Sequence, residues 1–412
     1  MKIRMRFKSL ILGSVMTSFV FQANAQNSAG DLDEYNVITT GVPFLMISPD
    51  ARAGGMGDVG AASAVDANNI HWNVGKLAFL GEDNAFLSLS YTPWLNRLVP
   101  DINLAYMTYN QAINDKSAFG MSLKYFSLGD INFTDNDGNS QGTFNPNELA
   151  VDGAYSLKLS ETWGAGIALR YIYSNLTQGQ SVPGLQTKPG QAFGADLGFY
   201  YEGRKKNLKN GQKGRWAYGT AITNMGSKIS YSESGQENFI PTNWRNGGRY
   251  DLEIDEYNRV SFMLDVNKLL VPTPPEYYKS YNGRDSTDAD GNKVIKAGLD
   301  DDISPIKGMA QALNPNAKPN GFQELIDELV WNVGVEYWYS NVFAVRGGYQ
   351  HENEFKGNRK YFTLGIGIKY NVFGLDFSYL IPANQTVRSP LENTLRFTLY
   401  FDFGALANAE EG

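Results

Sequence analysis

Apolar and polar residues alternate along most of this chain with a period of two. In residues 395–403, Leu395, Phe397, Leu399, Phe401 and Phe403 fall on one face, and Arg396, Thr398, Tyr400 and Asp402 on the other. Successive side chains of a β-strand point to opposite sides, so such a run predicts a strand between two different environments. The pattern recurs in fourteen runs: 84–91, 102–111, 117–126, 148–157, 163–173, 192–201, 216–223, 249–255, 259–267, 331–339, 342–351, 361–370, 373–380 and 394–403. Most have the length that crosses a bilayer at the tilt of a barrel. A soluble sandwich would also alternate, but its strands average about 5–6 residues. The polar faces here carry small residues and lone charges of both signs: Lys124, Asp152, Arg170, Asp196, Asp251, Glu253, Asp265, Glu336, Arg346, Asp376 and Arg396. That composition predicts a crowded lumen in which opposite charges pair.

The connections test this independently. Long and short gaps alternate along the chain, with 202–215 as a longer member of the short series. Outer-membrane barrels have long external loops and short periplasmic turns, so both termini are expected on the periplasmic side. Tyr91, Tyr109, Trp163, Tyr201, Trp216, Tyr339 and Tyr370 lie near run ends, where interfacial girdles form. A closed barrel also satisfies the backbone hydrogen bonds that lipid leaves without water. The expected fold is an all-β membrane protein, a 14-stranded antiparallel transmembrane barrel over residues 83–404. It carries a long external loop at 268–330 and a short tail at 405–412.

The first 25 residues differ from the rest. Lys2, Arg4, Arg6 and Lys8 precede an apolar core at 10–21, and Ala23, Asn24 and Ala25 form a small-residue cleavage site. This predicts a secretory signal peptide with the mature chain starting at Gln26. No Cys follows the site, so a lipoprotein is not expected. Residues 26–82 lack sustained alternation, and their Gly- and Ala-rich stretch ARAGGMGDVGAASA at 51–64 suits close backbone packing. So short a segment makes a poor separate domain; it is read as a hatch, or plug, inside the lumen.

Composition narrows the chemistry. Cysteine is absent and histidine occurs twice, so thiolate, Cys-based metal and His-rich metal sites are excluded. The net charge is −7 with no long basic patch, which disfavours nucleic acid. No Gly-rich phosphate loop, G-x-S-x-G elbow or paired His with a nucleophile is present. No catalytic residue, metal ligand or cofactor is therefore assigned, and a non-enzymatic protein is expected. DNDGN at 135–139 and DSTDADGN at 285–292 invite a calcium reading, but neither completes a twelve-residue ligand set. His71 and His351 are read as structural.

Two stretches stand out as partner-binding candidates. The first external loop, TPWLNRLVP at 92–100, sets Trp94, Leu95, Leu98 and Val99 in a segment expected to face water; the alternative is a loop folded back on girdle or plug. Leu269, Leu270, Val271 and Pro272 open the long loop and offer a second apolar ledge. The basic segment 202–215, with Arg204, Lys205, Lys206, Lys209, Lys213 and Arg215, reads as a solvated turn or as a dock for an acidic periplasmic partner.

Several motifs carry a family resemblance. The order A-R-A-x-G-M-G, A-x-A-x-D-A, W-N-x-x-x-L at 51–77, followed by fourteen strands, resembles the FadL superfamily of outer-membrane barrels with an N-terminal hatch. The family's Asn-Pro at the last motif is Asn73-Val74 here. From Tyr35 onward the chain more closely resembles the PorV family, the FadL-like barrels of the type IX secretion system. The likeness includes GVPFLMISPDARAG at 41–54, YTPWL at 91–95, FSLGDINF at 126–133 and GTFNPNE at 142–148. That resemblance implies a carrier that binds secreted cargo through its C-terminal signal domain at a giant translocon barrel (SprA or Sov). It would then pass cargo to an attachment complex that includes the sortase PorU. The superfamily's best-known function, transport of long-chain fatty acids or other hydrophobic molecules, is the alternative. Charged inward faces weigh against a greasy tunnel, and the plug weighs against a passive porin.

Overall fold

The computed structural model describes residues 36–81, 84–94, 101–134, 138–177, 187–232, 235, 237–383 and 394–404. The signal peptide expected at 1–25 lies outside them, as do Leu95, Leu98, Val99, Asp135 and the tail from 405.

Fourteen long strands form one closed antiparallel sheet. They are β1 (Ala85–Pro93), β2 (Ile102–Ala112), β3 (Ser117–Leu128), β4 (Asn147–Lys158), β5 (Trp163–Asn175), β6 (Gly190–Glu202), β7 (Lys213–Gly226), β8 (Asn243–Glu253), β9 (Asn258–Leu269), β10 (Leu329–Tyr339), β11 (Phe343–His351), β12 (Lys360–Tyr370), β13 (Phe373–Pro382) and β14 (Leu395–Asp402). Each pairs with its sequence neighbours, and β14 closes on β1 from Phe86 opposite Asp402 to Tyr91 opposite Phe397. Every predicted run coincides with one strand. The largest shift is in β8, expected at 249–255 and found six residues earlier at its start. Its first half, NWRNGG, lacks alternating apolar residues; it pairs instead through Gly247 and Gly248, which face Gly219 and Tyr218 of β7.

Burial is inverted relative to a water-soluble sheet. Leu169, Phe193 and Trp216 on the outer face are 68 %, 67 % and 64 % exposed, while Arg249, Arg346 and Arg396 on the inner face are 1–2 % exposed. In water so wide an apolar band would drive association; against hydrocarbon it is the stable surface. Most of the inner charges pair as the sequence predicts; Lys124 and Asp265 instead bond to hatch backbone, and Arg396 stands 3.7 Å from Asp58. Arg170 reaches Asp152 at 2.5 Å and Asp196 at 3.0 Å; Arg249 reaches Glu202 and Asp251, each at 3.0 Å.

One end of the barrel carries short turns. Asn371 and Val372 alone join β12 to β13, with Asn371 in the left-handed region at φ 50°. Ser340 and Asn341, both at φ 54°, open the turn between β10 and β11; it takes three residues where two are expected, because Val342 leaves the ladder. The other end carries the long connections, the longest being 270–328. It folds into helices Pro305–Ala312 and Gly321–Asp327 and a small pairing of Glu276–Tyr277 with Ile295–Ala297.

Residues 42–80 lie inside the barrel, while 36–41 run among the long loops, where Asn36 donates to Pro274 O and Gly41 N to Phe239 O; the described chain therefore begins at the long-loop end and not, as expected, on the short-turn side. The backbone and side chains of 42–80 hydrogen-bond to inward residues of strands all around the wall: Thr108 on β2, Lys124 on β3, Ser156 on β4, Arg245 on β8, Asp265 on β9, Glu336 on β10, Thr363 on β12 and Thr398 on β14.

Candidate functional site

The interior segment is pinned from its own sequence outward. Asp50 caps the short helix Ala51–Gly54 by accepting from Ala53 N at 2.9 Å, and its other oxygen accepts from Trp72 Nε1 at 2.6 Å. Asn73 donates to the carbonyls of Ala61 and of Phe199 in the wall, both at 2.9 Å, and accepts from Gly75 N. The Asn of the W-N-x-x-x-L motif therefore ties two stretches of the hatch to β6. Asp265 accepts from Gly60 N and Ala61 N at 2.7 and 2.8 Å. Arg52 forms a bidentate pair with Glu336, both contacts 2.9 Å, and Glu336 also accepts from Arg346 Nε at 2.9 Å. Arg346 continues to Asp376 at 2.6 Å, and Arg52 to Asp66 at 2.7 Å. Buried charge is tolerated only when paired and hydrogen-bonded, so hatch and wall share one electrostatic network.

Above this packed zone, at the long-loop end, a cavity of about 540 Å³ remains. Apolar surface comes from Val37, Ile38, Met46, Ile47, Trp94 and Leu269. Polar groups come from Ser48, Asp58, Arg245, Asn267, Glu328, Lys356, Arg359 and Arg396. Most of the cations are engaged. Arg245 donates to His71 O at 2.8 Å and lies over the Trp72 ring. Arg359 is paired with Glu352 at 2.7 Å. Lys356 is paired with Glu324. Arg396 differs. It is 2 % exposed, its nearest carboxylate is Asp58 at 3.7 Å, and its Nε and Nη1 have no hydrogen-bond partner among the described residues. Ser48 Oγ and Asn267 Oδ1 in the same wall are also without one. Both idle nitrogens are enclosed, with Nη1 against Gly54 of the hatch, so an anion in the cavity meets them only when the side chain turns toward it; a guanidinium without a close carboxylate matches such a group.

The long loop is anchored beside this cavity. Glu328 accepts from Lys268 and Thr273, and from Lys318 at 2.6 Å. Burial raises the Glu328 carboxyl, but Lys268 and Lys318 outweigh it and hold it below the usual carboxylate range. A carboxyl depressed on folding stabilises above its unfolded value, about 4.3, and that contribution is lost as pH falls through the folded value. Hydrogen exchange of the helix Gly321–Asp327, corrected for intrinsic rate, is therefore expected to stay slow from neutral pH to about 5 and to accelerate only below the unfolded value. Acceleration already between pH 7 and 5 would contradict the anchor.

The sequence candidates fall as follows. Trp94 is half-buried, lines the cavity and packs on an apolar cluster with Phe44, Leu45, Leu104 and Phe126, as the folded-back alternative requires. Leu269 also lines the cavity, but Leu270 and Val271 are 4 % and 2 % exposed and Pro272 is buried, so that stretch is not an open ledge. The long loop folds over it, with Gly308 of the helix Pro305–Ala312 against Pro272. His71 is buried against Trp72 and Tyr106. In the second acidic loop Asp285 pairs with Lys279 and Lys293, and Asp288 accepts from Asn292 N. Among the described residues no cluster of three metal-ligating side chains occurs. Arg396 was legible as an inward charge; its missing partner was not, since that depends on what the hatch places opposite it.

Residues 30–276 match the profile of the family described as Type IX secretion system protein PorV. The chain belongs to the PorV family. It is an outer-membrane component of type IX secretion. No curated protein matches it. Similar solved structures include the toluene transporter TodX of Pseudomonas putida, 12 % identical over 85 % of this chain and 96 % of that one, TM-score 0.46. Others are the toluene transporter TbuX of Ralstonia pickettii (13 %, 86 % and 97 %, TM-score 0.44) and a FadL homologue of Pseudomonas aeruginosa (11 %, 90 % and 100 %, TM-score 0.41). As a PorV-family barrel, the chain presents its cavity at the end with long loops and its hatch beneath it.

Proposed function

We propose that this protein is a non-enzymatic cargo carrier of type IX secretion. It binds secreted proteins through their C-terminal signal domains at a giant translocon barrel and delivers them to a sortase-type attachment complex. The long-loop end faces outside the cell and the end of β14 faces the periplasm. The observation that carries this reading is the Arg396 cavity. It lies at the long-loop mouth above a hatch tied to the wall on all sides, an arrangement suited to holding a ligand at the mouth. Its idle guanidinium suits an anionic group of the cargo, and Trp94 and Leu269 suit its apolar neighbours. Leu95, Leu98 and Val99 complete the proposed contact surface with Leu270, Val271 and Pro272 as its support.

Affinity purification of the tagged chain from native outer membranes tests this. Stoichiometric recovery of a very large barrel, or of secreted proteins sharing a C-terminal domain, is expected. Recovery of the barrel alone with fatty acids bound would replace the carrier by a transporter of hydrophobic molecules. Replacing Arg396 by Gln removes one charge-assisted hydrogen bond, about 1.5–3 kcal/mol. Cargo retention should fall roughly 10- to 100-fold at unchanged barrel abundance. Undiminished retention would remove the cavity from the cargo path.

A further inference from the structure

The short-turn end carries one connection unlike its neighbours. Residues 203–212 form a preordered hairpin in which Lys206 pairs with Gly214 and Asn207 with Lys213. Leu208 N donates to Gln212 O at 2.8 Å, and Asn210 and Gly211 turn the chain at φ 66° and 81°. Lys205 pairs with Glu253, and Arg215 with Glu202 and Asp251. Arg204, Lys206, Lys209 and Lys213 are exposed and have no acidic partner among the described residues. Four unpaired cations so close together are unusual in a chain of net charge −7.

The hairpin's faces indicate what these cations meet. Opposed residues of an antiparallel pair share a face. Along β7, Trp216 and Tyr218 point outward to the lipid-facing side, and so does the Gly214 position by alternation. Lys206 stands opposite Gly214, and Leu208 Cδ1 lies 3.2 Å from where a Gly214 side chain would begin, with the Tyr250 hydroxyl beside it. Lys206 and an exposed Leu208 thus continue the lipid-facing wall. Just below them the ring pairs Trp216–Tyr250 and Trp163–Tyr201, with centroids 4.6 and 5.0 Å apart, mark the headgroup level. An apolar side chain beside a lysine, immediately past an aromatic girdle, fits a lipid interface better than the wholly polar surface of an acidic protein.

We infer that the 203–212 hairpin is a binding site for anionic phospholipid headgroups in the leaflet on the short-turn side. Lys206 and Lys209 meet phosphates while Leu208, beside the Tyr250 hydroxyl, packs among the headgroups. The site fixes the height of this part of the wall and enriches anionic lipid around β6 and β7.

The full barrel, purified and exchanged into nanodiscs of mixed phosphatidylglycerol and phosphatidylethanolamine, supplies the test. Annular lipid composition is read by native mass spectrometry. The wild type should retain phosphatidylglycerol over phosphatidylethanolamine, and the preference should fall by a factor of roughly five for each cation removed in Lys206→Gln and Lys209→Gln. Lys206→Arg should keep it, and raised salt should erase it as charges are screened. Leu208→Ser should loosen lipid of both kinds equally. Equal retention of the two lipids by the wild type, or a preference unchanged by salt and by the Gln variants, overturns the site. So does capture of a polyglutamate peptide that phosphatidylglycerol does not displace. The salt series needs no variant, so a folding failure in a variant leaves the result decisive.

Discussion

Replacing Glu336 by Ala should unseat the hatch while leaving the barrel closed. This one carboxylate, 2 % exposed, is shared by Arg52 of the hatch and Arg346 of β11. Without it two buried guanidinium groups face each other, left with the carboxylates of Asp66 and Asp376 and, for Arg52, the Ala64 carbonyl. Removing one partner of a buried ion pair costs about 3–5 kcal/mol, mostly for the charge left unpaired. Because the loss falls on the junction between hatch and wall, it should appear as raised single-channel conductance and protease access to residues 42–80. The strand ladder, held by β10 and β11 pairing, should keep its heat-modifiable mobility. Replacing Arg52 and Glu336 together by Leu should lose less than Glu336→Ala alone, since Arg346 retains Asp376 and the carboxylate freed from Arg52, Asp66, is 18 % exposed and partly solvated. A double variant as leaky as the single one would show that shape, not charge, seats the hatch.

Gly348→Val and Gly219→Val should have a comparable effect by a different route. A side chain at Gly348 would meet Met56 O at 2.6 Å and Gly57 N closer still; one at Gly219 would meet the Ala61 carbonyl, with its carbon at 2.6 Å. These obstacles are backbone, so no rotamer change relieves them. Overpacking costs typically about 1–3 kcal/mol, and more where nothing yields. The hatch is expected to lift from β7 and β11, detected by the same conductance and proteolysis measurements. Gly153→Val is the control: nothing lies within 4 Å of a side chain there, and no leak is expected. Intact sealing in Gly348→Val would mean that the hatch backbone can shift by more than its hydrogen bonds to Thr363 and Asp265 allow.

The sequence carried the barrel because each strand spells out both of its solvents. Lipid on one side and a polar lumen on the other impose a two-residue period over strands long enough to be unambiguous, as in 360–370 and 395–402. Where that contrast fails, in the Gly- and Asn-rich start of β8, the boundary was missed. The small residues of 51–64 signalled close packing, and the structure shows their partners in Gly348 and Gly219.

The functional groups were less legible, for a physical reason. Period two tells which side of a strand a residue occupies, but not its depth, nor what stands opposite across the lumen. Arg346 and Arg396 are both inward arginines in the sequence. Only the tertiary arrangement gives the first two carboxylates and leaves the second with Asp58 at 3.7 Å. Likewise Leu270 and Val271 look like an exposed ledge until the long loop folds over them, and the Glu328 anchor joins groups from Lys268 to Lys318 that no local spacing links. Local alternation thus determined the strands, their order of long and short connections, and the medium they span. The pairing of charges between hatch, wall and loop, and with it the cavity, was decided only by closure of the barrel around the hatch.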